Sequence, residues 1–163
     1  WREYYESGAL ELEIKSDRDG YRKFVSYYYE NGNLKQRGLS EGGYRTGVWE
    51  HYHENGQIYR KQNVDDNKKN GEEIWYFEDG TIQQQQYYEN GKKVGKWKSY
   101  YASGQLESET HYQNFASVYD IAYFEDGRVS YSKMIENNKE ICEFYVIDKQ
   151  NLYYLTDRYE REL

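Results

Sequence analysis

The sequence predicts an all-β protein, a single elongated antiparallel meander of about six to seven stacked β-hairpin repeats of ~24 residues. Three observations support this prediction. A short motif, in which two residues with ring side chains precede a glycine turn, recurs six times. The runs beside each turn are rich in Tyr, Trp, Ile and Val, which is the composition of β-strands. The chain contains no proline, so nothing in it interrupts a sheet ladder.

The repeated motif reads YYENGNL at Tyr28–Leu34 and returns with small changes along the whole chain. Its turn glycines are spaced by 24 residues four times and then by 23; they are Gly8, Gly32, Gly56, Gly80, Gly104 and Gly127. A fixed period of this size is the signature of a repeat architecture. Asn-Gly and Asp-Gly within the motif predict a two-residue type I′ turn, in which both residues take positive φ.

A second loop connects consecutive hairpins and reads EGGYRTGVW, NKKNGEEIW and ENGKKVGKW. Gly47, Gly71 and Gly95 lie at the same phase of these loops. The predicted hairpins cover residues of about 1–16, 22–40, 46–64, 70–88, 94–112 and 118–135. A degenerate cap at about 140–158 would cover the open edge, since terminal repeats of such arrays are atypical. All of them belong to one repeat domain, residues 1–163.

A two-residue turn also predicts which residues lie opposite each other. In the third hairpin the predicted pairs are His53 with Ile58, Tyr52 with Tyr59, and Glu50 with Lys61. Opposite residues share a face of the sheet. One face would then carry the tryptophans with Ile58 and its equivalents and would pack inward. The other face would carry the first tyrosine of every motif.

Composition narrows the classes of partner. The net charge is −7, and no basic run is longer than two residues, so nucleic acid is not an expected partner. A basic protein surface is a more compatible one. No apolar run approaches the ~20 residues that span a bilayer, so a membrane is not an expected partner either. Cys142 is the single cysteine, and therefore an internal disulfide is impossible.

Two groups of residues could in principle carry chemistry. His51 and His53 share a strand face and would bind zinc if a third ligand lay nearby. The carboxylates before the turns, such as Glu54 and Glu78, form a predicted row, but exposed turn tips do not raise a carboxyl pKa for acid–base work. We interpret the histidines as ring positions of the repeat and the glutamates as solvated turn residues. The sequence thus predicts no catalytic residue, no metal site and no cofactor.

The tyrosine row is the predicted binding surface. Tyrosine is favoured at recognition surfaces because it offers a rigid contact area with few rotatable bonds. The candidate partner-binding residues are Tyr28, Tyr52, Tyr76, Tyr100, Tyr123, Glu54 and Glu78. The alternative is that the row serves only sheet packing, because repeats must keep some positions constant in order to fold.

The motif and its loop resemble a known repeat. Tyr87–Trp97, which reads YYENGKKVGKW, and Tyr100–Leu106 resemble the variant MORN repeat, and the resemblance covers at least Tyr28 to Gln113. It weakens at the ends, where Asp120 replaces the expected tryptophan. The subgroup is similar to YwqK-type bacterial antitoxin or immunity proteins. That resemblance implies protein binding without catalysis or cofactor, and a partner that is a toxin encoded by a neighbouring gene.

Three hypotheses of function follow from these observations. The first is an antitoxin that binds and occludes a cognate toxin. The second is a structural or membrane-associated scaffold of the MORN type, and the third is a hydrolase acting through the carboxylates or histidines. A cytoplasmic location is expected, although the chain begins at Trp1 within a repeat, which leaves a secreted or lipoprotein location open. The repeat pattern does not specify an oligomeric state.

Overall fold

The computed structural model describes residues 1–136, 138–147 and 153–163, and its regular elements are all β-strands. The strands are β1 (Arg2–Tyr4), β2 (Leu10–Ser16), β3 (Arg22–Tyr28), β4 (Leu34–Glu41), β5 (Tyr44–Tyr52), β6 (Ile58–Asp65), β7 (Lys68–Tyr76), β8 (Ile82–Glu89), β9 (Lys92–Lys93), β10 (Gly95–Tyr100), β11 (Leu106–Gln113), β12 (Ala116–Tyr123), β13 (Val129–Glu136), β14 (Lys139–Ile147) and β15 (Tyr153–Glu162).

The strands form one sheet in which hydrogen-bonded neighbours follow chain order from β1 to β15. The two-residue strand β9 pairs with β8 and lies off this path. Neighbouring strands pair in antiparallel fashion, as short hairpin connections require. The predicted all-β antiparallel meander is therefore confirmed. The turn of the predicted C-terminal cap lies outside the described residues, but β14 and β15 pair as far as Lys139 and Glu162.

The chain divides into two compact units. Unit 1 comprises Trp1–Ile82 with Tyr88–Lys92, and unit 2 comprises Gln83–Tyr87 with Lys93–Leu163. The core of unit 1 is small: Val25, Trp49 and Val64 are buried, with Leu12, Ile14 and Tyr27 packed against them. In unit 2 Cys142 is fully buried, and Trp97 and Tyr112 contact each other at 5.0 Å between ring centroids.

The six glycine turns have a different geometry from the predicted one. In the third motif Gly56 N–H donates to His53 O (2.9 Å) and His53 N–H donates to Gln57 O (2.8 Å), so the loop contains three residues. Only the glycine takes positive φ, at 87°, and Asn55 does not. This pattern is a type I turn followed by a left-handed residue. The same pair of bonds closes all six turns, so the predicted type I′ turn is wrong here.

True two-residue turns with two consecutive positive φ values occur at the opposite ends of the strands. They are Gly42-Gly43, Asp66-Asn67, Asn90-Gly91 and Asn114-Phe115. The longer loops predicted at these places are therefore tight turns. The phase-matched Gly47 and Gly71 lie inside β5 and β7, and Gly95 begins β10. All three have positive φ, and the ladders beside Gly47 and Gly71 change register there, as expected for β-bulges.

The three-residue turn shifts the pairing by one, and a bulge shifts it back. Tyr52 lies opposite Ile58, but His51 lies opposite Arg60, so Tyr59 is the extra residue. The predicted pairs His53/Ile58 and Tyr52/Tyr59 are wrong for this reason. The predicted pair Glu50/Lys61, beyond the bulge, is confirmed. The fifth motif behaves in the same way, with Tyr100 opposite Leu106 and Lys98 opposite Glu109.

The bulge also changes which residues share a face. Trp49, His51 and Trp75 lie on one face of unit 1, which we call the tryptophan face. Tyr59 joins them, with its ring centroid 4.8 Å from that of His53 and 6.0 Å from that of Trp75. Ile58 lies with Tyr52 on the opposite face, the tyrosine face, and not with the tryptophans as predicted.

Candidate functional site

The predicted tyrosines stand at strand ends, directly before the turns. Tyr28, Tyr52, Tyr76, Tyr100 and Tyr123 are all half-buried. Tyr52 makes two polar contacts: its hydroxyl donates to Glu50 Oε2 (2.8 Å), and the Arg37 guanidinium lies 5.8 Å from its ring centroid. Burial and the Glu50 carboxylate raise the pKa of Tyr52 to about 12. Each ring thus combines packing with partial exposure.

The second ring of the motif has a role that the sequence reasoning missed. The Tyr5 hydroxyl donates to Tyr28 O (2.7 Å), and the Tyr29 hydroxyl donates to Tyr52 O (2.8 Å). In unit 2 the Tyr101 hydroxyl makes the equivalent bond to the carbonyl oxygen one repeat on. These side chains therefore tie successive hairpins together. The sequence signal for this role is the tyrosine hydroxyl, because His53 and two phenylalanines occupy the same position in other motifs and lack it.

Glu54 and Glu78 are exposed at the turn tips. The backbone oxygen of Glu54 accepts hydrogen bonds from the side-chain amides of Asn31 (3.0 Å) and Asn33 (2.7 Å). Neighbouring turns are thereby linked through the backbone, while the Glu54 side chain stays at the surface. Both glutamate side chains therefore lie at the surface of the protein.

The tryptophan position follows the 24-residue period on the tryptophan face. Trp49 is 2% exposed, and its indole Nε1 donates to Leu39 O (3.1 Å). The Arg45 guanidinium covers the ring at 4.1 Å from its centroid. Trp97 repeats the arrangement in unit 2, with the Lys93 ammonium 4.3 Å from its ring centroid. A cation over an indole face is a favourable electrostatic contact.

At the intermediate repeat a carboxylate occupies the tryptophan position. Glu73 is 1% exposed, and its Oε2 lies 2.8 Å from Lys69 Nζ, the equivalent of the Arg45 cation. Its Oε1 lies 3.8 Å from Arg60 Nη1. Within the described residues, Glu73 Oε1 and Arg60 Nε have no hydrogen-bond partner. The Glu73 carboxylate is thus buried, and its charge is balanced by the partly exposed side chains of Lys69 and Arg60.

The histidines belong to the same packed face. His51 Nε2 lies 2.9 Å from Arg60 Nη2, which makes the ring nitrogen a hydrogen-bond acceptor. Burial and the neighbouring Arg60 charge lower the pKa of His51 to about 4, so the ring is neutral at pH 7. Among the described residues, no group of three His, Cys, Asp or Glu side chains is placed to hold a metal ion.

The tyrosine face of unit 1 carries an open apolar groove of about 220 Å³. Its apolar lining is Phe24, Leu39 and Val48, and Arg37 and Glu50 form polar sides. Phe24 is 62% exposed and Val48 is 51% exposed. We call this feature the apolar groove. The sequence analysis did not select it, because Phe24 and Val48 lie outside the repeated motif.

A second concavity, of about 190 Å³, lies at the tight-turn end of the same strands. Its lining residues are Tyr21, Glu41, Tyr44, Thr46, Asp65 and Asp66. The two rings are exposed, and Glu41 Oε1 accepts from Arg22 Nε at 2.6 Å. We call this feature the acidic cleft. It combines carboxylates with aromatic rings, which is the chemistry that attracts a cation.

Unit 2 has a polar groove of about 200 Å³ in place of an apolar one. Trp97 borders it, and its other lining residues are Gln84, Gln86, Lys98, Ser99, Ser108 and Thr110. The side chains of Ser99 and Ser108 hydrogen-bond each other (2.7 Å), and the Gln86 amide donates to Gln84 Oε1 (2.9 Å). The four consecutive glutamines Gln83–Gln86 form part of strand β8 and contribute to its polar surface.

The fold and its two faces define a repeat module of β-hairpins. The chain belongs to the MORN repeat variant family, whose repeats match residues 25–40, 45–66, 69–90 and 93–114. These segments include the region in which the motif is most regular. MORN repeats generally act as protein- or membrane-binding modules. No helix of the described residues is long and apolar enough to cross a membrane.

Other comparisons add little to this assignment. No curated protein sequence matches the chain. The crystal structure of accessory secretory protein 1, 2 and 3 in Streptococcus pneumoniae resembles it with 11% identity and a TM-score of 0.22. The likeness covers 87% of this chain and 19% of that one, so this chain spans only a small part of that protein's length. At that TM-score it carries no argument about function.

Proposed function

We propose that this chain is a non-catalytic protein-binding module that acts as a bacterial antitoxin or immunity protein. It binds a toxin encoded by a neighbouring gene and occludes the toxin's active site. The observation that carries the binding role is the exposed apolar groove on the tyrosine face, where Phe24 and Val48 stand open to solvent. Exposed apolar patches with polar rims mark interaction sites.

Several features support binding over catalysis. Three side chains have strongly shifted pKa values, and each contacts a neighbour within the sheet: His51 contacts Arg60, Tyr52 contacts Glu50, and Tyr131 contacts Cys142. Their shifts therefore follow from packing. The half-buried tyrosines beside the groove offer rigid contact area with few rotamers to immobilise. The same tyrosine face thus supplies an apolar contact and an aromatic surround, which are parts of a protein interface.

The antitoxin role is supported by charge and by resemblance. A net charge of −7 favours association with a basic surface, because complementary charge raises the rate of encounter. Toxins that act on nucleic acid need a basic cleft to hold phosphates. An acidic module that covers such a cleft blocks it by occlusion. The resemblance to YwqK-type antitoxins supports the same role and a cytoplasmic place of action.

A co-expression test separates this role from a scaffold. The small open reading frame beside the gene is expressed alone and together with this chain. We expect the neighbouring gene product to be toxic when expressed alone. Co-expression of this chain is expected to relieve the toxicity, and the two proteins are expected to form a stable complex. A harmless neighbour, or capture of only the chain itself or of envelope proteins from the native host, contradicts the antitoxin role and favours the scaffold.

The tyrosine face is tested in the same assay. Tyr52→Ala combined with Tyr76→Ala is expected to weaken the complex and the rescue while leaving the circular dichroism spectrum unchanged. Tyr153→Ala, which removes an exposed tyrosine from β15, is the matched control and is expected to rescue fully. A large fall in melting temperature for the double variant assigns the two tyrosines to packing instead.

A further inference from the structure

We propose that the apolar groove and the acidic cleft of unit 1 form one docking surface for an extended segment of a partner protein. The segment carries an apolar side chain and, two residues later, a lysine or arginine. This inference rests on the proposed protein-binding function and names the chemistry of the partner. It concerns residues outside the repeated motif, although Tyr52 contacts Glu50 and Arg37 at the sides of the groove.

The two concavities are continuous along the same strands. Phe24 lies opposite Leu39, and Leu39 lies opposite Thr46, which lines the acidic cleft. One row further along, Glu41 lies opposite Tyr44. Leu39 and Glu41 are two residues apart on β4, a distance of about 7 Å in an extended strand. An extended peptide has the same spacing between a residue and the second one after it.

The apolar groove matches a single side chain in size. Its volume of about 220 Å³ lies below the range of roughly 300–1,000 Å³ that is usual for pockets of whole small-molecule ligands. Phe24 and Val48 are more than half exposed, so covering them removes apolar surface from water. An aromatic or branched aliphatic side chain is the group that gains most from this site.

The acidic cleft has two carboxylates outside ion pairs. Arg22 pairs with Glu41, whereas in the described part of the chain neither Asp65 nor Asp66 forms an ion pair, although Lys68 lies opposite Asp65 in the ladder. The exposed rings of Tyr21 and Tyr44 stand at the same cleft. Carboxylates beside aromatic faces attract an ammonium or guanidinium group through ion pairing and cation–π contact. Charge complementarity therefore selects a basic side chain and disfavours an acidic one.

The cleft is held in place by backbone hydrogen bonds between neighbouring turns. Gly42 N–H donates to Tyr21 O (3.0 Å). Asn67 N–H donates to Arg45 O (3.1 Å), and Asn67 Oδ1 accepts from Arg45 N–H (2.8 Å). These bonds fix the turn that carries Asp66 beside the strand that carries Tyr44. A site that is already ordered loses less conformational entropy on binding.

The test uses capped synthetic heptapeptides and the full chain labelled with ¹⁵N. The probe GSFTKSG carries phenylalanine and, two residues on, lysine; GSFTESG and GSATKSG replace one or the other. The expected result is saturable shifts of the Leu39, Thr46, Val48 and Asp66 amide signals with the first peptide, in the millimolar range. Binding at least about tenfold weaker is expected for the other two peptides, which corresponds to 1.4 kcal/mol.

Protein variants locate the site. Asp65→Asn with Asp66→Asn is expected to weaken GSFTKSG binding at least about fivefold and to reduce its dependence on salt. Glu107→Gln with Glu125→Gln makes the same change in net charge at exposed positions of unit 2 and is expected to have no effect. Equal binding of the lysine and glutamate peptides, shifts confined to other residues, or no saturable shift each overturns the proposal. Shifts of the same amides with protein concentration alone also overturn it, since the occupant is then a second copy.

The outcome is separable from that of the proposed function. If the aspartate double variant still rescues cells from the toxin while the tyrosine double variant fails, the antitoxin role stands and this docking surface is wrong. If the lysine peptide binds at the groove but the neighbouring gene product is harmless, the docking surface stands and the antitoxin role is wrong.

Discussion

At the scale of single residues, one close approach determines how the core of unit 1 packs. The Trp49 indole lies flat on Gly38, and a Cβ atom at Gly38 would stand 2.3 Å from a ring carbon. Real Cβ contacts do not come so near, and the ring carbon belongs to a side chain that is itself buried. Position 38 therefore requires glycine because any side chain there would clash with the indole, and not because of its φ, which is not positive.

Gly38→Ala is expected to lower the free energy of unfolding by about 1–3 kcal/mol, because the added methyl group overpacks the site. Urea denaturation followed by tryptophan fluorescence measures the change. In a Trp49→Phe background the smaller ring leaves room for the methyl group. Gly38→Ala is then expected to lower the free energy of unfolding by a smaller amount. Additive effects of the two substitutions contradict direct contact between them.

His51 makes stability depend on pH in a defined direction. Its pKa is about 4 in the folded chain and near 6.5 when unfolded, so between these values the unfolded chain binds more protons. The stability that neutral His51 contributes is complete above pH 6.5 and is lost as pH falls towards 4. From pH 7 to 4.5, wild type is expected to lose on the order of 2 kcal/mol more than His51→Gln in urea denaturation. Parallel losses in both proteins contradict this assignment.

At the scale of elements, the two ends of each hairpin use different turns. The glycine motif forms a three-residue loop in which only the glycine takes positive φ, whereas Asn90-Gly91 at the opposite end takes positive φ at both positions. The residue before the glycine therefore does not need to adopt positive φ. This explains why serine stands there in two motifs without strain.

The turn assignment predicts unequal costs at neighbouring positions. Gly104→Val is expected to destabilise the chain by about 1–2 kcal/mol, because a β-branched residue resists a φ of 83°. Ser103→Val is expected to change stability by less than ~0.5 kcal/mol, since its φ is negative. Thermal denaturation of both variants measures the difference. Similar large losses at both positions point to a two-residue type I′ turn instead.

At the scale of the whole molecule, stability is distributed over neighbouring strands. Apart from β9, each described strand pairs with its neighbours in chain order, and the buried apolar cluster of unit 1 lies within that unit. Arrays of this kind behave as sums of local repeat stabilities and nearest-neighbour terms. The hydroxyls of Tyr5, Tyr29 and Tyr101 supply one such nearest-neighbour contact for each repeat they join.

Hydrogen exchange tests this locality. Gly38→Ala is expected to reduce amide protection mainly in β3 to β6 and to leave β11 to β13 near their wild-type values. Mass spectrometry of peptides from each strand measures the pattern. A uniform loss of protection along the chain shows that the sheet unfolds as one cooperative unit.

Much of this architecture was predictable because it depends on local sequence. The period of 24 residues, the strand composition and the glycine turns predicted an antiparallel meander, and the pair Glu50/Lys61 lies where expected. Pairing near the turn was not predictable to one residue. An Asn-Gly pair suits both a two-residue and a three-residue loop, and only the bulge at Tyr59 shows which of them occurs.

The sequence by itself determined the repeat, the strand order and the acidic surface, because these follow from short-range pattern and composition. Only the tertiary structure decided that Ile58 lies on the tyrosine face, that Glu73 is buried where the preceding repeat buries Trp49, and that Phe24 and Val48 form an open groove. The physical reason is that facing and burial depend on cross-strand neighbours. A one-residue bulge moves a side chain to the opposite face without any change in the local pattern.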